Sequence, residues 1–574
     1  MGVDKFIERS TFSIKIQQKF SIDNTVKQCK DHLMLGLFLI FLTIIFSYGV
    51  GNVSAASGDI IYVNTHGNDS WNGQSSLWDG VNGPKLSIKN ATGIVNKRGT
   101  VNIANGRYSG AKNTKIIIYK DMIIKGQSKT STIINGTGYN WIFQIKPGIN
   151  VAISNLTMIN GTSAKGGGAI TNYGTLTLKS SYFISNTAYG GGALINYING
   201  NLTVKDCTFT SNKATFGGAI ENAGKMNVTG GEFRGNRAID GGAIDNADTL
   251  TVTKSKFTDN HATEDGGAIS NYEGDLYLHF NKIVRNNAPH GGAVIFGKGA
   301  ADLSLNWWGS NAGPLNMVIG KIKVSPWLVL NINNSGIINN NGTYNITADL
   351  LHDSNLAYHD PANGHIPDGI QIKFNSTLGT INSPVYTVYG VSQAFLSVGI
   401  LSGIADISVT LDNQTVHKSV NIDPAPTVIK TDLVNYGEGL PVKFIKIKFS
   451  ESIKKGDMSI DFENSHGKKL LTTKSINGNV LTITPVSPLT PGRYILTLNT
   501  GCLTDLAGNL IKAYSTNFTV EGTNSGVSHA RTSWWKIKFR HFKSHEKLEK
   551  LENSCNWSGI HDQNFFKNFI LNKL

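Results

Sequence analysis

The sequence predicts an all-β fold: a right-handed parallel β-helix followed by two antiparallel sandwiches. Three observations carry this. A four-residue phrase recurs six times, a second motif keeps phase with it, and beyond Pro326 the repeat yields to alternating runs separated by turn-rich stretches. The phrase reads GGAI at Gly167, Gly217, Gly241 and Gly266, GGAL at Gly191 and GGAV at Gly291, with intervals of 24, 26, 24, 25 and 25 residues. A period this regular marks units that stack because none can bury its apolar face alone.

Within each period stand Phe183-x-x-Asn186, Phe209-x-x-Asn212, Phe233-x-x-Asn236 and Phe257-x-x-Asn260, with a degraded copy at Ile283-x-x-Asn286. Between the two motifs lies an alternating triplet such as Leu176-Thr-Leu or Leu202-Thr-Val. Three runs of period two in about 25 residues make three strands and three turns, one coil of a parallel β-helix. Stacked coils place Phe183, Phe209, Phe233 and Phe257 above one another at the ~4.8 Å strand spacing. Ser181, Cys207, Gly231 and Ser255, two residues earlier, are small enough for a narrow interior. The glycine pairs suit a corner with positive φ. Asn172, Asn196, Asn222, Asn246 and Asn271 form one expected ladder, and Asn186, Asn212, Asn236, Asn260 and Asn286 another. Their expected role is structural: asparagine tolerates the left-handed conformation and bonds locally at turns.

GGA[ILV] paired with FxxN resembles the repeat of the chlamydial polymorphic outer-membrane proteins. With the phrase Asn306-Trp307-Trp308-Gly309-Ser310-Asn311-Ala312-Gly313-Pro314, it is more similar still to the adhesin-like surface proteins of methanogenic archaea, where such a phrase closes the β-helix. The resemblance implies the repeat fold and surface display. It does not imply autotransport, since nothing after residue 521 could build a membrane barrel.

The elements follow in order. Residues 33–50 are apolar and uncharged, preceded by Lys27 and Lys30 and followed by Val53-Ser54-Ala55. This is the order of a secretory signal, so residues 1–55 are expected to be cleaved, or retained as an anchor, with the bulk outside the cytoplasm. Residues 56–99 give a strand from Ile60 and an amphipathic helix over 85–98, suited to plugging the open end of a solenoid. Residues 100–315 supply about eight coils, a rod of roughly 40 Å. Residues 326–423 carry the alternating runs of a small sandwich and resemble the Ig-like domains of invasin-type adhesins. Residues 427–520 follow the Pro424-Ala425-Pro426 linker, with an Asn477-Gly478 hairpin signal. Phe449-Ser450-Glu451, Leu489-Thr490-Pro491-Gly492 and Asp505-Leu506-Ala507-Gly508-Asn509 resemble the Ig-like domain of bacterial S-layer proteins. Residues 521–574 read as a poorly ordered basic and aromatic tail.

Composition narrows the function. The net charge of +14 comes from scattered Lys and Arg in a Gly-, Asn- and Thr-rich chain, which argues against a nucleic-acid partner. Four cysteines without paired spacing exclude a disulfide scaffold and a zinc site. Asn68, Asn155, Asn160, Asn201, Asn341 and Asn345 sit in N-x-[ST] sequons and are candidate glycan acceptors in an exported protein.

Candidate site residues come from reading the coils in phase. Asp240 and Asp265 precede their GGAI phrases, beside His290; Glu221 and Asp245 follow theirs. Acids one rung apart would lie ~5 Å apart, near the separation in retaining glycosidases, and could also share a Ca²⁺ ion. Those positions vary to Gly, Phe, Thr and Ile in other coils, as on a solvated turn. His261 and His290 read as exposed turn residues. Asn68-Asp69-Ser70-Trp71-Asn72-Gly73 echoes a calcium loop but lacks flanking helices, so a capping turn is expected. No cofactor or metal is therefore expected, with Asp240 and Asp265 the nearest to a calcium site. The expected function is a non-catalytic, cell-surface adhesin-like protein that meets glycans, cell-wall polymer or neighbouring cells through many weak contacts. Membrane contact would come only through an uncleaved signal or the basic tail. The alternative is a secreted polysaccharide lyase or glycoside hydrolase acting through the stacked acids.

Overall fold

The structure, a computed structural model, describes residues 59–333, 337–339, 342–399, 401–435 and 442–521. The expected signal (residues 1–55), the sequon Asn341 and the tail beyond Glu521 lie outside the described residues. Among the described residues no helix is long and apolar enough to cross a membrane. The described residues form two compact units: 59–328 with 353–355 and 362–367, and the remaining described residues.

The first unit is a parallel β-solenoid of about nine turns and about 25 residues per turn. Three parallel sheets of ten, nine and eight strands run along it. A single coil shows the pattern: Ile220–Asn222, Lys225–Thr229 and Glu232–Arg234 are its three strands, one per sheet. Each pairs in register with the coils on either side, as Phe209↔Phe233 and Phe233↔Phe257 do. The solenoid begins one strand earlier than expected, because Ile60–Val63 pairs with Thr100–Ile103. It also ends later than residue 315, at the pairing of Val294–Ile295 with Val318–Ile319.

Alternation accounts for the strands, and the corners account for their shortness. In each triplet the apolar pair points inward: Met226 and Val228 are buried, while Lys225, Asn227 and Thr229 are exposed. The aromatic column stacks at centroid separations of 4.8, 4.9 and 4.7 Å with rings within 7° of parallel. All four rings are fully buried, each stabilising its coil by about 1.5–3 kcal/mol from burial alone.

The doublet glycines serve two separate needs. Gly217, Gly241 and Gly266 take φ of 60°, 63° and 62°, a conformation that costs an L side chain. At Gly218 and Gly242 a Cβ would run into the carbonyl oxygen of the equivalent glycine in the following coil.

Both asparagine ladders form, but not for the conformational reason expected. The left-handed residues are those immediately before the FxxN asparagines, Ser185, Ser211, Gly235, Asp259 and Arg285, with φ of 54–62°. The asparagines themselves are wanted for their amides. Asn236 Nδ2 donates to Asn260 Oδ1 and to the Phe209 carbonyl, each at 2.9 Å, while Asn236 N–H donates to Asn260 Oδ1 at 3.0 Å. Each amide thus ties its coil to both neighbours and satisfies buried backbone that the corner leaves unpaired. The second ladder runs from Asn172 through Asn196, Asn222 and Asn246 to Asn271 with links of 2.5–2.8 Å. These asparagines end their strands and are buried.

Caps cover both ends of the core. The helix is Ile88–Ile94, shorter than the 85–98 pattern suggested. Ser87 caps it with Oγ accepting from Asn90 N–H at 3.4 Å, and Asp69 in turn accepts from Ser87 N–H and Oγ. The Asn68–Gly73 segment therefore acts as a capping turn. Ile88, Ala91 and Val95 enter the same core cluster as Trp308 at the other end. Asn306 of the tryptophan phrase continues the column of small residues: its Oδ1 accepts from Asn281 N–H and Asn281 Nδ2.

The second unit holds two antiparallel modules. The first has a four-stranded sheet that includes Thr343–Asp353 and Val391–Ser397, and a five-stranded sheet that includes Gly403–Leu411 and Gln414–Asp423. The second has sheets of four, three and two strands around a core containing Ile447, Phe449, Phe462, Tyr494 and Phe518. Its hairpin turn is Gly478-Asn479, one residue beyond the expected pair. Asn477 pairs with Val480, and Gly478 takes the positive φ of 57°.

Candidate functional site

Three columns of side chains meet along one edge of the solenoid, and a break in one of them creates the site. The residues before each glycine doublet are Phe216, Asp240, Asp265 and His290, linked rung to rung. Those after each GGAI are Ile195, Glu221, Asp245 and Ser270, paired in register. Two positions further on, the column reads Tyr173, Tyr197, Ala223, Ala247 and Tyr272. The two alanines leave a gap between tyrosines at the level of Glu221 and Asp245.

The tyrosines frame that gap. Tyr173 and Tyr197 stack at 4.5 Å with planes 9° apart, and Tyr197 Oη donates to the Lys165 carbonyl at 2.9 Å. At the other end Tyr272 Oη donates to Asp265 Oδ2 at 2.6 Å, and His290 Nδ1 lies 3.1 Å from Asp265 Oδ1. The Tyr197 hydroxyl is raised in pKa by burial and by neighbours that include the Glu221 charge. That of Tyr272 is raised by its bond to Asp265, by burial and by the charges of Asp240, Asp265 and Asp245. Both tyrosines therefore sit beside the carboxylates electrostatically as well as in sequence phase.

The acids are not the solvated turn that their sequence variation suggested. Asp240 is 7% exposed, and Glu221 and Asp245 are half-buried. Burial pushes the Asp245 carboxyl up to about 7, with Glu221 and Asp240 adding repulsion. Burial likewise raises Glu221, and burial followed by the Asp265 and Glu264 charges raises Asp240. Asp240 Oδ1, Asp245 Oδ1 and Ser270 Oγ are buried without a hydrogen-bond partner. A Cβ on Gly190 would collide with Glu221 Oε2, so the small residue at 190 makes room for that carboxylate. His261 lies in the strand His261–Asp265 and is half-buried, whereas His290 is exposed.

Chemically, the slot offers one carboxyl that holds its proton near neutrality, a second one rung away, and aromatic faces to either side. Carboxyl oxygens and tyrosine rings are the groups that bind sugar hydroxyls and sugar faces, and a raised carboxyl beside another is also the arrangement of general acid catalysis. A separate shallow trough of about 640 Å³ is lined by Asn135, Thr137, Asn160, Thr162, Ser185 and Thr187, all neutral hydroxyls and amides. Among the sequons, Asn68, Asn201 and Asn345 are exposed, and Asn155 and Asn160 half-buried.

Sequence reading missed one cluster. Asp423, Glu451 and Asp505 bring one carboxylate oxygen each within 4.8 Å of one another. Glu451 and Asp505 lie in phrases singled out for their family likeness and Asp423 borders the proline linker. Nothing in their spacing of 28 and 54 residues signals the meeting. Among the described residues they form the one such group of three metal-ligating side chains; Asp240 and Asp265 gather no third ligand.

Residues 422–520 match the family of bacterial Ig-like domains. The module defined by the Phe449, Phe462 and Phe518 core is therefore Ig-like. Solved structures with partial similarity include the Yersinia pseudotuberculosis adhesin InvE (19% identity over 33% of this chain and 57% of that one, TM-score 0.14). Domains 5–6 of the S-layer protein SbsC align at 14% identity over 33% of this chain and 97% of that fragment, TM-score 0.14. Yersinia pseudotuberculosis InvD aligns at 17% identity over 35% and 60%, TM-score 0.17. The chain thus spans under two thirds of InvE and InvD. No curated protein matches.

Proposed function

We propose that the chain is an exported surface protein of adhesin-like, non-catalytic type, in which the solenoid edge binds glycans of other cells or of the envelope. The observation that carries this reading is the pairing of a repetitive solenoid with an Ig-like module of a bacterial family within one chain. A solenoid edge presents polar and aromatic groups on successive rungs about one strand spacing apart, so weak contacts along it add. The tyrosine column, with its carboxyl-floored gap, and the neutral trough are two surfaces suited to sugars. A glycan array probed with the full chain tests the reading. Binding lost on Tyr197→Ala or Tyr272→Ala supports it, and no signal on any glycan or on intact cells overturns it. Cell fractionation tests export separately.

A second reading, a secreted polysaccharide hydrolase, is favoured by one specific observation. Asp245 keeps its proton near neutrality one rung from Glu221, as an acid and its partner would. Reducing ends released from a polysaccharide panel, and abolished by Glu221→Gln with Asp245→Asn, would establish it. Binding that survives both substitutions with no product favours the adhesin.

A further inference from the structure

We propose that Asp423, Glu451 and Asp505, together with Asn509, form a Ca²⁺ site that fixes the linker between the two antiparallel modules. Asp423 ends the last strand of the first module, Gln414–Asp423, directly before Pro424. Glu451 follows the strand Val442–Phe449 of the second module, and Asp505 ends its strand Leu503–Asp505. Three carboxylates from three separate segments therefore converge where the chain passes from one module to the next.

Distance and donor type fit the ion. The converging oxygens lie within 4.8 Å of one another. Ca²⁺–oxygen bonds of about 2.3–2.6 Å allow two ligands of one ion to stand up to about 5 Å apart. All the donors are hard oxygens, with no imidazole or thiolate among them, which selects Ca²⁺ or Mg²⁺ over zinc or copper.

A second, independent feature points to a ligand. Asn509 is 2% exposed, and its Oδ1 is buried without a hydrogen-bond partner. The same amide sits inside the cluster: Nδ2 lies 3.1 Å from Asp423 Oδ2, 2.7 Å from Asp505 Oδ2 and 3.5 Å from the Pro424 carbonyl oxygen. A half-turn of that amide places the orphan oxygen among the carboxylates, which is favourable only with a cation between them. Asn509 Oδ1 and the Pro424 carbonyl would then raise the protein oxygens to five, leaving one to three positions for water in the 6–8 that Ca²⁺ takes. Asp505 is held for this role, since its Oδ1 accepts from Gly508 N–H at 2.6 Å and Asn509 N–H at 2.8 Å.

Electrostatics agree with the geometry. Burial, then the Asp505 charge, raises the pKa of Asp423. Burial, then the Asp505 and Asp423 charges, raises that of Glu451. The nearby Lys454 Nζ is directed to the Leu506 carbonyl at 3.0 Å. A divalent ion would neutralise repulsion that the protein's own cations leave standing. It would also join the strand end before the linker to two loops after it. Sites of extracellular modules bind with dissociation constants of about 10⁻⁴–10⁻³ M, so an exported protein in millimolar calcium would hold its modules fixed.

The test uses the full chain, freed of metal by chelation and titrated with CaCl₂ in a calorimeter, with thermal unfolding followed in parallel. Saturable uptake is expected, weakened at least tenfold by Glu451→Gln and by Asp423→Asn and unchanged by Glu273→Gln, an exposed acid of the solenoid. Unfolding gives a reading that a merely damaged fold would not. In chelator, Glu451→Gln should melt at or above the parent temperature, because one repelling charge is gone. In calcium it should melt below the parent. Absence of saturable binding up to about 10 mM, a concentration well above that affinity range, overturns the proposal. So does uptake that Glu451→Gln and Asp423→Asn leave untouched, or a variant that melts below the parent by the same margin with and without calcium.

Discussion

The solenoid and the sandwiches of this chain are both all-β, yet they hold together in different ways. In the solenoid each side chain meets its own counterpart one coil away, so Phe233 lies between Phe209 and Phe257, and Asn236 between Asn212 and Asn260. In the Ig-like module the core joins unlike residues from different strands, with Phe462, Tyr494 and Phe518 packed at 5.6–6.0 Å. A solenoid defect should thus stay near its own coil and spread through neighbours, whereas a sandwich defect should be felt by the whole module.

The largest expected effect tests the coil spacing. Gly218→Ala sets a Cβ against the Gly242 carbonyl oxygen, and backbone held on both sides by parallel ladders cannot yield. Calorimetry should show the solenoid transition lost, or lowered by more than the ~3–5 kcal/mol typical of a large-to-small core change, with the sandwich transition in place. A mild effect would mean that successive glycine doublets do not abut.

Next in size is a matched pair. Phe233→Ala and Phe518→Ala should each cost about 3–5 kcal/mol. Hydrogen exchange should then separate them. The first variant should lose protection mainly in the coils holding Phe209, Phe233 and Phe257, and the second across its module. Equal spreading in both would break the contrast drawn above.

The smallest effect concerns pH. The Asp245 carboxyl moves from an ordinary 3.8 to about 7 in the folded chain. A raised acid contributes stability that is complete below the unfolded value and lost as pH rises through the folded one. Solenoid stability should therefore fall between about pH 4 and 7 by at most a few kcal/mol. Asp245→Asn should flatten that decline; an unchanged slope in denaturant titrations would show that the carboxyl is not buried as described.

Much of the architecture was legible because repetition amplifies it. One FxxN means little, but four, with a fifth degraded to IxxN, in phase with six glycine doublets specify coil length, strand number and the inward phenylalanines. The alternating runs of the sandwiches were legible for the usual reason that one face is buried. Less was legible where position in the coil, rather than residue type, decides. The left-handed corner falls on Ser185, Gly235, Asp259 and Arg285 alike, with no common chemistry to reveal it. The burial of Asp240 shows in nothing about the acid itself, since the same column holds an exposed His290. The Asp423–Glu451–Asp505 cluster depends on a tertiary meeting of three segments. Repeats disclose what every coil shares, while the candidate sites arise where the coils differ.

The most direct test of the central claim is the spacing between equivalent positions on successive coils. Lys125, Ser154, Lys179, Lys205, Thr229 and Thr253 follow one another in register along a single sheet. Spin labels placed pairwise on cysteines at 125 and 205, 125 and 229, or 125 and 253, in a chain whose native cysteines are replaced by serine, report that spacing by pulsed electron resonance. Stacked coils give separations that grow by about 4.8 Å per coil, reaching roughly 14, 19 and 24 Å. Separations that fail to lengthen steadily with each added coil would contradict the stacked solenoid and the surface built on it.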